Sequence, residues 1–146
     1  MKALATLFFF IGIISLLSGK EMELKRERAM DSAIATNYLA YRQAVLEYVF
    51  NNTHVTGVIQ TASLDVLPGW QSMRAWNAQI SGDYCYIYGP VTSSEVSVIK
   101  KISNTYSIGV NNGGTFANES AVAFPVPNFV PNGNIVTIVK VRNHSS

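Results

Sequence analysis

The stretch Ala3 to Gly19, ALATLFFFIGIISLLSG, limits what this chain can become more than any other: 17 residues without a charge, bracketed by Lys2 and Lys20. At about 1.5 Å per helical residue such a run reaches roughly across the hydrocarbon of a bilayer. It predicts a membrane-anchoring helix, so any globular structure must come from the residues beyond Lys20. No proline occurs before Pro68. The helix is therefore expected to continue through the densely charged Glu21 to Arg28 as solvated or headgroup-level turns.

A cleaved secretory signal is the alternative, and it would place small residues in an A-x-A-like pattern before the cut. A cut after Gly19 puts Leu17 three positions before the bond, which fits poorly, and no cysteine ends the run, which excludes a lipoprotein signal. An uncleaved anchor is the favoured reading. Its orientation stays open. Lys2 stands on one side of the run and Lys20, Lys25, Arg26 and Arg28 on the other, which by the positive-inside bias puts the C-terminal side in the cytoplasm. The Asn, Ser, Thr and Gly-rich composition downstream, with only 14% charged residues in the whole chain against a typical ~25%, speaks for export.

From Ala29 the spacing is helical in a specific way. Met30, Ile34, Tyr38, Tyr41, Val45 and Tyr48 recur at steps of four and three, one stripe of a 3.6-residue helix. Leu39, Leu46 and Phe50 make a second apolar edge, with Ala29, Ala33, Ala40 and Ala44 between. The polar seam is narrow: Ser32, Thr36, Gln43 and Glu47. This pattern supports two readings. The helix is sunk deeply into its own domain, or its second face packs on neighbouring subunits or partner helices, with Met30, Ile34, Tyr38, Tyr41, Val45 and Tyr48 and the small residues Ala33, Ala40 and Ala44 as the interface. Asn51, Asn52 and Gly57 are stop signals.

After the helix the pattern turns to β. Val55 to Leu67 holds short apolar pieces ending at the Pro68-Gly69 turn. Arg74 to Ile80 and Tyr84 to Tyr88 flank Ser81-Gly82-Asp83, which predicts a hairpin with a three-residue turn and cross-strand aromatic pairs between Trp76 and the Tyr84, Tyr86, Tyr88 side. Thr92 to Glu95 has the form of a capping box, and Val96, Ile99 and Ile102 continue it as a short helix to about Asn104, expected to lie on the sheet. Tyr106, Ile108 and Val110 read as a strand before the turn-rich Asn111 to Gly114. Ala121 to Phe124 and Ile135 to Val141 read as two more, with Pro125, Pro127 and Pro131 confining the first to an edge or a loop. The organisation is thus an anchor over residues 1–19, a charged linker and amphipathic helix over 20–52, and a β-rich head over 53–146. The fold class is α+β, with the long helix packed on a small, mostly antiparallel sheet.

Chemistry is sparse. His54 and His144 are the only histidines, and Cys85 is the only cysteine. No intrachain disulfide or cysteine-based zinc site is possible within the chain. Neither the H-E-x-x-H nor the C-x-x-C pattern occurs, no G-x-S-x-G elbow is present, and Asn112-Gly113-Gly114 lacks the lysine of a phosphate loop. The net charge of +2 is not gathered into a basic stripe, so nucleic acid is not an expected partner. Asp65, Asp83, Glu95 and Glu119 are the acids of the head, too scattered in sequence to nominate an acid/base pair for an envelope enzyme. Three Asn-x-Ser/Thr matches, at Asn51, Asn118 and Asn143, are of the kind an Asn-rich chain produces by chance. The expectation is a protein that is not an enzyme and takes no cofactor, metal or small-molecule substrate.

The layout of apolar stem, alanine- and tyrosine-rich helix and β-containing head resembles that of type IV pilins. More specifically the chain resembles the PilM family of the type IVB, or thin-pilus, systems carried on conjugative plasmids. The residues that carry this are MKALATLFFF at the start, NYLAYRQAV at Asn37 to Val45, LPGW at Leu67 to Trp70, RAWNAQISGDYCYIYG at Arg74 to Gly89 and VNNGGTFAN at Val110 to Asn118. They run nearly the whole length. A pilin's processing site, a Gly before an apolar residue with a Glu five positions on, has no counterpart, since the apolar run holds no Glu. The resemblance implies an inner-membrane component of a pilus-assembly apparatus, its head in the periplasm, acting on other assembly proteins or on pilin in the basal body or in pilin passage. A minor pilin-like subunit of the fibre is the alternative.

Overall fold

The computed structural model describes residues 2–118 and 123–141, with side chains described from residue 13. Helix α1 runs unbroken over Lys2–Asn51. The glycine at position 19 does not interrupt it, because neighbouring turns supply hydrogen bonds on both sides and a single helical Gly costs only about 1 kcal/mol. Side chains from 13 to 30 are all exposed, whereas Ile34, Ala35, Tyr38, Tyr41, Ala44, Val45 and Val49 are buried. The helix therefore has two halves: a neck standing clear of the head over about 27 Å, and a second half that is part of the head's core.

The head is a single antiparallel sheet. Its strands are β1 (Gly57–Ile59), β2 (Asn77–Ser81), β3 (Tyr84–Gly89), β4 (Ile108–Asn112), β5 (Thr115–Ala117), β6 (Phe124–Pro125) and β7 (Ile135–Lys140), in the order β1-β2-β3-β7-β4-β5-β6. The last strand is thus the central one, paired with β3 from Tyr84↔Lys140 to Gly89↔Ile135 and with β4 from Ile108↔Thr137 to Val110↔Ile135. Pro125 sits on the outermost strand, where its missing N–H is harmless, in keeping with the edge position expected from the sequence.

Alternation along the strands splits the apolar residues between two cores. On the α1 side, Trp76, Ala78, Ile80, Cys85, Ile87, Ile108 and Ile135 pack with the helix. On the other side, Tyr86, Tyr88, Phe116 and Val136 are covered by Val126 and Val130 from the segment that crosses back before β7. The hairpin expectation needs two corrections. Ser81 pairs with Tyr84, so the loop is the two residues Gly82-Asp83, with Gly82 at φ +60° where such a turn needs its first residue left-handed. The tyrosines also lie opposite Ser81, Gln79 and Asn77 and not opposite Trp76. Their ring partners are Phe124 and Phe129, at centroid distances of 5.0 Å (Tyr84–Phe124) and 5.6 Å (Tyr86–Phe129). Trp76 faces the helix instead, 5.0 Å from Tyr38.

The short helix α2 (Ser93–Ser103) forms as its capping box requires: Thr92 Oγ1 accepts from Glu95 N and Glu95 Oε2 accepts from Thr92 N. It packs mainly along α1 and only touches the sheet at β4. Ile99 is its buried apolar residue, while Ile102 is half exposed. Tyr106 lies in the turn before β4 and is 75% exposed. The Val55 to Leu67 region contributes only the three-residue edge strand β1 and one 3-10 turn, Thr61–Ser63. Of the expected strand over Ala121 to Phe124, the first two residues lie outside those described.

Candidate interface on the first helix

Polar as well as apolar contacts seat the helix in the head. Tyr38 is fully buried, and its hydroxyl donates to the Ile87 carbonyl at 3.0 Å. With its proton so placed, it accepts from Thr137 Oγ1 at 2.7 Å. One phenol thereby fastens α1 to both β3 and β7. Burial raises its pKa well above the ordinary tyrosine value, with the Thr137 hydrogen bond opposing.

Asn37 does similar work one position earlier. Its Oδ1 accepts from Trp76 Nε1 at 2.7 Å and from Met73 N at 2.9 Å, and its Nδ2 donates to Gln71 O at 2.7 Å. Two donors on one side and a carbonyl on the other fix which way the amide points. This holds the irregular segment between the 3-10 turn and β2 against the helix. Sequence reasoning misses Asn37, a helix residue of poor propensity; a polar residue on the same face as Tyr38 and Tyr41 is the available signal.

Nearby, Tyr41 stacks on Trp70 at 6.0 Å and 18°. The Tyr41 hydroxyl has no hydrogen-bond partner of ordinary geometry, and burial pushes its pKa up to about 12 although the Thr61 side chain draws it down.

The nine helix residues read as an interface are therefore divided. Ile34, Tyr38, Tyr41, Ala44 and Val45 are buried in the chain's own head, and no other molecule reaches them while the head is folded. Ala40 and Tyr48 are partly buried. Met30 and Ala33 alone are exposed. The second apolar edge is divided too: Leu39 and Leu46 pack against the core and Phe50 is 57% exposed. Apolar surface open to another partner lies instead on the neck, at Ile14, Leu16, Leu17, Met22 and Leu24. Among the described residues no helix is long and apolar enough to cross a membrane. The expected anchor over residues 1–19 falls largely on side chains outside those described.

Among the described residues no three of His, Cys, Asp and Glu come together as a metal site. Glu95, 2% exposed, is held by Arg74 Nη2 at 2.5 Å and by its own helix cap. Asp65 and His54 are exposed on separate loops. Cys85 is fully buried on β3, the strand between β2 and β7, and burial pushes its thiol from 9.0 up to about 12.

No curated protein matches the chain. The fold is similar to that in the crystal structure of protein PilM from Escherichia coli B7A, with a TM-score of 0.62 at 13% identity, over 77% of this chain and 94% of that one. At that identity the likeness speaks for the fold alone. The family model for PilM matches residues 6–138, nearly the whole chain. The chain therefore belongs to the PilM family and is a pilus-related protein.

Proposed function

We propose that this chain is a non-enzymatic, membrane-anchored component of a type IVB thin-pilus assembly apparatus, with its stem in the inner membrane and its head in the periplasm. It acts there through protein–protein contacts, in the basal body or in the passage of pilin. The observation that carries the reading is the division of α1. One continuous helix has its second half built into the head, while residues 13–30 stand exposed with Ile14, Leu16 and Leu17 continuing the apolar run from Ala3. A helix with that much exposed apolar surface needs another phase or another protein to cover it.

The test is a deletion strain complemented with the full chain carrying C-terminal alkaline phosphatase. Piliation restored, phosphatase activity, and retention in the membrane after carbonate washing are the expected results. Arginines at Leu16 and Leu17 should release the chain from the membrane and abolish pili. Normal pili in the deletion strain, or full release by carbonate, would sink the reading. The pilin-like layout of α1 supports a second reading, a minor subunit of the fibre, and the presence of the chain in sheared, purified pili would select it.

A further inference from the structure

The C-terminal turns of α2, the turn after it and the β4–β5 hairpin enclose an open cleft of about 570 Å³, lined by Val96, Lys100, Lys101, Tyr106, Ile108 and Asn118 among others. That size falls in the range of about 300–1,000 Å³ usual for binding sites. Its electrostatics are one-sided. Lys100 and Lys101 have no carboxylate within ion-pair distance among the described residues; the ion pair of this region, Arg74–Glu95, is at the opposite end of α2. Lysines in the last turn of a helix complement its dipole, which accounts for these two in isolation.

It does not account for Arg42, which comes from α1 and reaches the back of the same turn. Its Nη2 lies 3.4 Å from Ser107 Oγ, and its Nε is buried without a partner. The Ser107 hydroxyl is also 3.1 Å from that of Thr105, so the turn offers Arg42 hydroxyls and no charge. Three cations thus surround one turn with no acid among the described residues to balance them. Arg42 does not itself line the cleft; it adds positive potential from behind the turn whose front Lys100 and Lys101 face.

The rest of the lining is neutral and two-natured. Ile108 is buried at the floor and the Tyr106 ring stands 75% exposed at the rim. Asn104, turned left-handed at φ +44°, and Asn118, whose Nδ2 donates to Tyr106 O at 2.7 Å, supply amides at the lip. A free inorganic anion would leave the apolar floor and the aromatic rim unused.

We infer that this cleft docks an acidic peptide segment of a partner protein, with carboxylates on Lys100 and Lys101 and an apolar side chain over Ile108 beside Tyr106. The inference deepens the assembly role proposed above and rests on it for the kind of partner. A positive cleft facing an acidic segment sets partner choice and association rate as well as affinity.

The test uses the full chain in neutral detergent micelles and a fluorescein-labelled hexapeptide of aspartates around one phenylalanine, with its asparagine counterpart as control. Fluorescence polarisation should show saturable binding of the acidic peptide. Binding should be about tenfold or more weaker for the asparagine peptide, for K100E/K101E and for the milder K100Q/K101Q, and it should weaken in high salt. The variant K20E/K25E makes the same charge change on the neck and should bind like the parent. Equal binding of both peptides, undiminished binding by K100E/K101E, or equal loss in both glutamate pairs would overturn the inference. So would capture of anionic phosphatidylglycerol vesicles through these lysines with no peptide binding. The assay needs no pili. A cleft that binds in a strain whose piliation never required the chain removes the assembly role and keeps the cleft, and the converse result does the reverse.

Discussion

Replacing Asn37 with alanine tests how the head is held to its helix. The change removes three hydrogen bonds at once, to Trp76 Nε1, Met73 N and Gln71 O. Gln71 and Met73 are exposed and can turn to water, so each lost bond there costs at most about 1 kcal/mol. Trp76 is 5% exposed, and its indole N–H would be left buried and unpaired, a further cost of about 1–3 kcal/mol. The total is about 2–4 kcal/mol, a large part of a typical stability of about 5–15 kcal/mol, and should lower the melting temperature by roughly 10 °C. The readout is built in, because Trp70 and Trp76 are the chain's only two tryptophans and both belong to the segment Asn37 holds. Native-state emission should shift to the red as the segment loosens. Asn37→Asp keeps an acceptor for the two N–H groups but turns its other oxygen on the Gln71 carbonyl, so it should be destabilising at neutral pH and recover as the carboxyl is protonated. If Asn37→Ala melted within about 2 °C of the parent with unchanged emission, the segment would be held by something other than Asn37.

Other expectations concern the sheet and its cores. A Cβ on Gly109 would come to 2.6 Å from both the Ala117 carbonyl oxygen and Phe116 Cε2, and the backbone oxygen has nowhere to go. Gly109→Ala should therefore cost about 1–3 kcal/mol in urea unfolding, whereas Gly19→Ala, in open space on the neck, should slow amide exchange around it. Thr137→Val should cost about 1 kcal/mol and Tyr38→Phe, which also leaves the Ile87 carbonyl without its donor, about 1–2 kcal/mol, with the double variant costing less than the sum, since both break the Tyr38–Thr137 bond. Cys85 and Tyr41 keep their protons to about pH 12 in the fold, against 9.0 and 10.0 for the unfolded groups. Their contribution is complete below about pH 9 and is lost as pH rises toward 12, so the urea midpoint should fall over that window. Cys85→Ala should flatten the first part of the fall.

Helical phase was legible in the sequence because one feature decides it: the spacing of Ile34, Tyr38, Tyr41 and Val45 alone sets which side of α1 is buried. The capping box at Thr92 and Glu95, the Gly-rich turn before β5 and the edge position of Pro125 were legible for the same reason, each being a local rule. Strand order was not, since nothing local in Ile135 to Lys140 says that it inserts between β3 and β4. The tyrosines of β3 illustrate the limit. Alternation placed them correctly on one face, but their partners Phe124 and Phe129 are about forty residues away and arrive by a crossing segment without regular structure. The Lys100, Lys101 and Arg42 group was invisible because 57 residues separate Arg42 from Lys100 in the chain, and only the packing of α2 along α1 brings them to one turn.

The central place of β7 has a consequence for how this protein is made. Translation runs from the N-terminus, so β1 to β3 and β4 to β6 are both synthesised before the strand that joins them exists. Until residues 135–140 arrive, β3 has an open edge, Tyr38 lacks Thr137, and neither core is closed. Folding of the head is thereby postponed to the end of synthesis. The two half-sheets thus wait for one another, and the final strand acts as the latch that closes both faces together.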